Sequence, residues 1–198
     1  MTIVKLLDPK NNYVFKRIFG YSGNEQITKN LLESIIPDKI DQIELDSNPI
    51  TEKDLLDDKV GILDIKAKLN NGNVNCNIEM QVVDQKDIEK RILFYWSKMY
   101  IQTISSGNDY ESLKRCIVIL ITDYDIESLK ELPDYITKWK IMEDKNPKLE
   151  LTNMLELYII SLNKAKNSTE TKKEDLLLNW LKFINNPKEE TRNGKWWN

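Results

Sequence analysis

Histidine is absent from the 198 residues, and that gap removes a large part of enzyme chemistry. Without imidazole the chain holds no Ser/His or Cys/His nucleophilic pair, no imidazole general base and no His-ligated zinc or haem. Cysteine is scarce, with 2 residues, both in predicted strands, where they read as small core residues and not as a disulfide scaffold. An excess of positive charge is missing too: 29 Lys and Arg face 32 Asp and Glu, for a net charge of -3. The overall footprint of a protein that coats nucleic acid is therefore lacking, although a local basic groove remains compatible with it. No apolar run is long enough to span a bilayer. The opening Met1-Thr-Ile-Val-Lys-Leu-Leu-Asp-Pro lacks the basic region and small-residue cleavage site of a secretory signal, so a cytoplasmic location is expected. Internal repeats, a Walker motif, a dinucleotide fingerprint and zinc-ligand spacing are also lacking. What is left is carboxylate, lysine, hydroxyl and hard-metal chemistry.

The composition that is present, 40% hydrophobic and 31% charged, suits one globular core. Its sharpest local signal is Ile62-Leu-Asp-Ile-Lys-Ala-Lys-Leu69, then Asn70-Asn-Gly-Asn73, then Val74-Asn-Cys-Asn-Ile-Glu-Met-Gln-Val-Val83. Two alternating runs flanking Asn71-Gly72 predict an antiparallel hairpin. Side chains alternate along a strand, so Leu63, Ile65, Ala67 and Leu69 share one face and Ile62, Asp64, Lys66 and Lys68 the other. On the second strand Val74, Cys76, Ile78, Met80 and Val82 form the apolar face, and Asn75, Asn77, Glu79 and Gln81 the polar one. Helical spacing predicts helices over 10–20, 24–36 (closed by Pro37), 85–105 and 176–184. A short strand is expected over 40–45, and the continuous aliphatic run 116–121 reads as a strand buried on both faces. Strand, long helix and apolar strand together suggest a crossover in a mixed sheet. The division expected is one domain over 1–163, then a charged linker and a C-terminal helical segment over 164–198.

Pairing in the hairpin brings Asp64, Glu79 and Gln81 onto one polar surface. Two carboxylates there could hold Mg²⁺ or Mn²⁺, with the backbone carbonyl of Met80 as a further oxygen, and the metal would supply the hydroxide that imidazole cannot. Gln81 or Lys66 would orient water or phosphate. The same residues also match the solvated polar face of an ordinary hairpin. Arg91, on the edge of the stripe formed by Ile88, Ile92, Tyr95, Trp96 and Met99, needs a carboxylate or a phosphate partner. The aromatic members of that stripe read as core packing and not as a base-stacking platform.

Several ordered blocks resemble the recombination-promoting nuclease and transposase family of the PD-(D/E)XK nuclease superfamily. They are Asp8-Pro-Lys-Asn-Asn-Tyr-Val-Phe-Lys-Arg-Ile-Phe-Gly20, Asp58-Lys-Val-Gly-Ile-Leu-Asp-Ile-Lys-Ala67, Asn77-Ile-Glu-Met-Gln81, 91–95, 100–107 with Tyr110, and the strand 117–121. The resemblance implies an α/β restriction-endonuclease-like core with a central mixed sheet flanked by helices, and metal-dependent cleavage of DNA. It makes Asp64 the metal-binding aspartate and Glu79 the glutamate of the E-x-K element, with Arg91 assisting at the substrate and Glu33 as an extra acid from the first core helix. The lysine of the element is Gln81 here, which carries no charge and only hydrogen-bonds, so Lys66 on the neighbouring strand is the expected substitute. The alternative expectation is a catalytically inactive module of the same fold that binds DNA or protein. A homodimer built on the terminal helix and Trp196-Trp197 is a third expectation; no membrane partner is expected.

Overall fold

The computed structural model describes residues 7–46, 65–84, 86–168 and 175–187. In chain order they form α1 (Asn12–Phe19), α2 (Glu25–Ile35), β1 (Ile43–Leu45), β2 (Ile65–Leu69), β3 (Val74–Gln81), α3 (Ile88–Ile101), β4 (Arg115–Thr122), β5 (Ile136–Met142), β6 (Glu150–Ser161), α4 (Leu162–Asn167) and α5 (Leu176–Asn185). The strands make one six-stranded sheet in the order β1-β2-β3-β4-β6-β5. β3, β4 and β6 run parallel at its centre, while β1 and β2 on one side and β5 on the other pair antiparallel. Parallel neighbours need a crossover, and α3 supplies it between β3 and β4.

Local chemistry starts and stops these elements where the sequence indicates. Asn11 caps α1, its side chain accepting from the backbone N–H groups of Tyr13 and Val14, which satisfies two of the donors a helix start leaves free. At Gly20, which ends α1, a Cβ would lie 3.0 Å from both the Ile65 side chain and the Lys16 carbonyl, so any larger residue would have to push β2 or the helix end aside. The β2–β3 turn holds Asn70, Asn71 and Gly72 at φ of 51°, 60° and 77°, the left-handed region that Asn and Gly tolerate best. Asn70 also fastens the turn to the approach to β1: its Oδ1 accepts from Asp41 N (2.8 Å) and its Nδ2 donates to Lys39 O (3.2 Å).

Both sheet faces are covered at the centre. On one, Phe15, Phe19, Leu31 and Leu32 from α1 and α2 meet Ile65, Cys76, Ile78, Ile117, Ile119 and Ile160, joined by Leu177, Leu178, Leu181 and Ile184 of α5. On the other, Ile88 and Ile92 of α3 pack on Val118, Leu120, Leu155 and Leu157. Every residue of β4 from Cys116 to Thr122 is buried, as the aliphatic run requires. Both thiols are free and lie in this interior, and burial pushes each up to about 12.

Several details depart from the sequence reading. α3 is shorter than the periodicity suggests. Lys16, a charged residue that composition alone would place at the surface, is buried. The charged stretch beginning at Lys164 opens as helix α4, and the apolar face of α5, offered above as a dimer surface, is buried in this chain's own core; Trp196 and Trp197 lie outside the described residues. The polar face of β3 is not solvated either: Asn77 and Glu79 are 5% and 3% exposed. A central strand flanked by β2 and β4 and approached by α3 has no solvent face at these positions. Among the described residues no helix is long and apolar enough to cross a membrane.

A second buried glutamate stands on β6, near the start of the neighbouring parallel strand β4. Glu156 is ion-paired to Arg115 Nη2 (2.9 Å) and Lys138 Nζ (3.0 Å), with Lys140 Nζ at 3.8 Å, and accepts from the Tyr158 hydroxyl (3.0 Å). Burial works against its ionisation, but Lys138, Arg115 and Tyr158 prevail and hold the carboxyl below its ordinary range.

Candidate active site

Glu79 sits two residues before the end of β3, where the strand surfaces: Gln81 is half-buried, and Val82 and Val83 are exposed. The alternation of β3 points Glu79 to the face covered by α3, since its neighbour in register on β4 is Leu120, a member of the α3-side core. The crossover helix then returns Arg91 over it. Arg91 Nη2 lies 3.4 Å from Glu79 Oε1 and 3.3 Å from the Tyr95 hydroxyl, one helical turn further on. Gln81 Nε2 also donates to Glu79 Oε1. The other oxygen, Oε2, is buried and has no hydrogen-bond partner among the described residues. Burial raises the Glu79 carboxyl above its usual range, against the opposing pull of Gln81 and Arg91. An ionisable group whose charge is only half satisfied in a protein interior costs stability, and such groups concentrate where chemistry is done.

The other residues named from sequence take distinct places. Lys66 is exposed on β2 and pairs in register with Asn77 of β3. Met80 points its side chain into the core on the opposite sheet face. Glu33 lies on the exposed side of α2, 3.7 Å from Lys29, on the face of the sheet away from Glu79. Asp64 falls outside the described residues. Among the described residues no group of three or more acidic, cysteine or histidine side chains could hold a metal ion.

Sequence reasoning missed Asn77 as a buried group; its Oδ1, like Glu79 Oε2, is without a hydrogen-bond partner. It also assigned Tyr95 to the core stripe alone, although the i, i+4 spacing of Arg91 and Tyr95 was a usable signal for their contact. At the same end of the parallel strands Asp123, whose N–H bonds the Gln81 carbonyl (2.9 Å), holds Lys10 Nζ at 2.8 Å, tying the segment before α1 to the rim of the site.

A mixed six-stranded sheet flanked by helices, with a Glu-x-Gln element on a central strand, defines an α/β protein of the restriction-endonuclease-like PD-(D/E)XK fold. The family model described as PD-(D/E)XK nuclease family transposase matches residues 9–196, and the chain belongs to that family. No curated protein and no solved structure matches the chain significantly. The family points to a nuclease or transposition function.

Proposed function

We propose that the chain is a divalent-metal-dependent DNA endonuclease acting in recombination or transposition. One observation carries this reading: the glutamate of the family element is buried and ionisable, with one oxygen tied to Gln81 and Arg91 and the other unpartnered. An orphaned carboxylate oxygen in a site of oxygen donors fits a hard cation such as Mg²⁺ or Mn²⁺, and histidine or thiolate ligands for a softer one are not at hand. Glu79 would hold the ion, together with the Met80 carbonyl and Asp64. Asp64 is included because the family resemblance makes it the metal-binding aspartate, and in sequence it directly precedes β2, the strand paired with β3. When bound, the ion supplies a water of lowered pKa and neutralises phosphate charge. Lys66, exposed on the next strand opposite Asn77, fills the role of the missing motif lysine at phosphate or water; Arg91 fixes Glu79 and faces the substrate.

Supercoiled-plasmid nicking tests this, with wild type, Asp64→Ala and Glu79→Gln in Mg²⁺, Mn²⁺ or EDTA. Metal-dependent nicking that both substitutions abolish is expected. Nicking by Asp64→Ala at the wild-type rate would overturn the site, and no nicking by folded wild type in either metal would overturn the activity. The second reading is a catalytically silent module of this fold that binds DNA; it is favoured by Gln81 spending its amide N–H on Glu79, and duplex binding without cleavage is its signature.

A further inference from the structure

Two buried acceptor oxygens on β3, Asn77 Oδ1 and Glu79 Oε2, have no hydrogen-bond partner among the described residues. Their residues are two apart on one strand and so share a face. A buried acceptor left unpaired costs about 1–3 kcal/mol, so two together call for a donor. The nearest cation by register is Lys66: it stands directly across from Asn77, its residue is exposed, and its flexible stem ends in three donors and no acceptor. Directly opposed residues have Cβ atoms about 5 Å apart and diagonal ones about 7–8 Å, within reach of a long side chain. Lys66 is directly opposed to Asn77 and diagonal to Glu79, so both residues lie within reach of its side chain.

We propose that Asn77 is a positioning residue: when a duplex packs against the exposed Lys66 at the margin of this buried pair and strips water from it, the ammonium swings in, donates to Asn77 Oδ1 and Glu79 Oε2, and keeps its third N–H for the phosphate. Asn77 thereby returns to the site, from the strand next to Lys66, the cation that Gln81 cannot provide. The inference rests on the nuclease reading for its catalytic consequence, but the Lys66 contact itself does not.

The experiment pairs plasmid nicking in Mg²⁺ by wild type, Asn77→Leu, Asn77→Ala, Asn77→Asp, Lys66→Met and the Lys66→Met/Asn77→Leu double variant with nitrogen-15 spectra of the lysine ammonium groups, recorded with a short duplex in Ca²⁺. Asn77→Leu should fold at least as well as wild type, because it removes an orphaned polar atom; Asn77→Ala serves if it does not. Asn77→Leu and Lys66→Met should each lower kcat about ten- to a hundredfold with KM nearly unchanged, the range one hydrogen bond to a charged group commands. The double variant should be no worse than the worse single one, and Asn77→Asp, which keeps an acceptor, should recover most of the rate. The Lys66 ammonium signal should be protected with duplex in wild type and lost in Asn77→Leu. Asn77→Leu nicking at the wild-type rate would overturn the inference while the nuclease reading stands. If wild type does not nick, the nuclease reading fails and the spectra alone decide: a Lys66 signal that depends on Asn77 supports the contact, and one that does not refutes it. Weaker Mn²⁺ binding by Asn77→Leu with an unaltered Lys66 signal would make Asn77 a metal donor and overturn the inference as well.

Discussion

Replacing either buried glutamate by glutamine, Glu79→Gln or Glu156→Gln, removes one negative charge from the same sheet, and the two should move stability in opposite directions. Glu156 faces cations on both oxygens, and removing one partner of a buried ion pair costs about 3–5 kcal/mol. Arg115 keeps Asp38 at 2.6 Å, and the Lys138 and Lys140 side chains are 31% and 27% exposed. Part of the stranded charge can therefore turn to water, which brings the expected loss for Glu156→Gln down to about 2–3 kcal/mol. Glu79 is the reverse case. Its unpartnered oxygen costs about 1–3 kcal/mol, and the long, partly exposed contact to Arg91 returns no more than about 1 kcal/mol, so Glu79→Gln should gain about 1 kcal/mol. For a chain of this length each kcal/mol moves the melting temperature about 2–4 °C.

Thermal melts followed by circular dichroism at neutral and acid pH read both effects, and pH supplies a second check. The Glu79 carboxyl titrates higher in the folded than in the unfolded chain, so the native state loses stability as pH rises from the ordinary glutamate range through the folded value. The advantage of Glu79→Gln is therefore present at neutral pH and vanishes in acid, where the wild-type group is protonated in both states. Glu156 titrates lower when folded. Its contribution is present above the ordinary range and lost as pH falls through the folded value, so the deficit of Glu156→Gln also closes in acid, from the other side. A Glu79→Gln variant that melts below wild type at neutral pH, or two variants that shift together, would refute the reasoning.

Leu181→Ala should cost about 2–5 kcal/mol in urea unfolding, since its side chain is fully buried in the core where α5 meets α2 and α4; a near-neutral result would mean that α5 is not part of the folding unit. Cys76 and Cys116, with thiols pushed up to about 12 and no more than 1% exposed, should resist an aromatic disulfide reagent in the native state and react only as the chain unfolds in urea. Rapid native labelling would contradict the burial. Gly20→Ala forces a Cβ to 3.0 Å from Ile65 and from the Lys16 carbonyl, and a loss of about 1–3 kcal/mol by thermal melt is expected.

The parts of the fold that could be read from sequence are those fixed by neighbours in the chain. Asn71-Gly72 announces the β2–β3 turn because few residues tolerate positive φ, Pro37 marks the end of α2, and the run 116–121 can only be an interior strand. The strand–helix–strand order around α3 gave the crossover. The burial of Glu79 was not legible, because period-two alternation separates the two faces of a strand without saying whether the polar face meets water; that depends on where α3 returns, a long-range fact. Glu156 and Arg115 are 41 positions apart, and nothing local in either segment announces their pairing. Arg91 was legible in its need for a partner, since a cation at the margin of an apolar stripe must be answered, but not in the partner's identity. The family resemblance named Glu79 and Gln81 together, and the structure adds how one amide and one guanidinium divide a single carboxylate oxygen between them.

Glu79 belongs to an interior strand, yet its carboxylate makes no contact on which that strand depends. A single base change converts either glutamate codon to the corresponding glutamine codon, and by the free energies above the product is a chain that folds at least as well as its parent. Quality control that recognises unfolded chains would pass it. Copies of this gene that lose Glu79 should thus persist as folded proteins that have lost the carboxylate without losing the sheet that carries it.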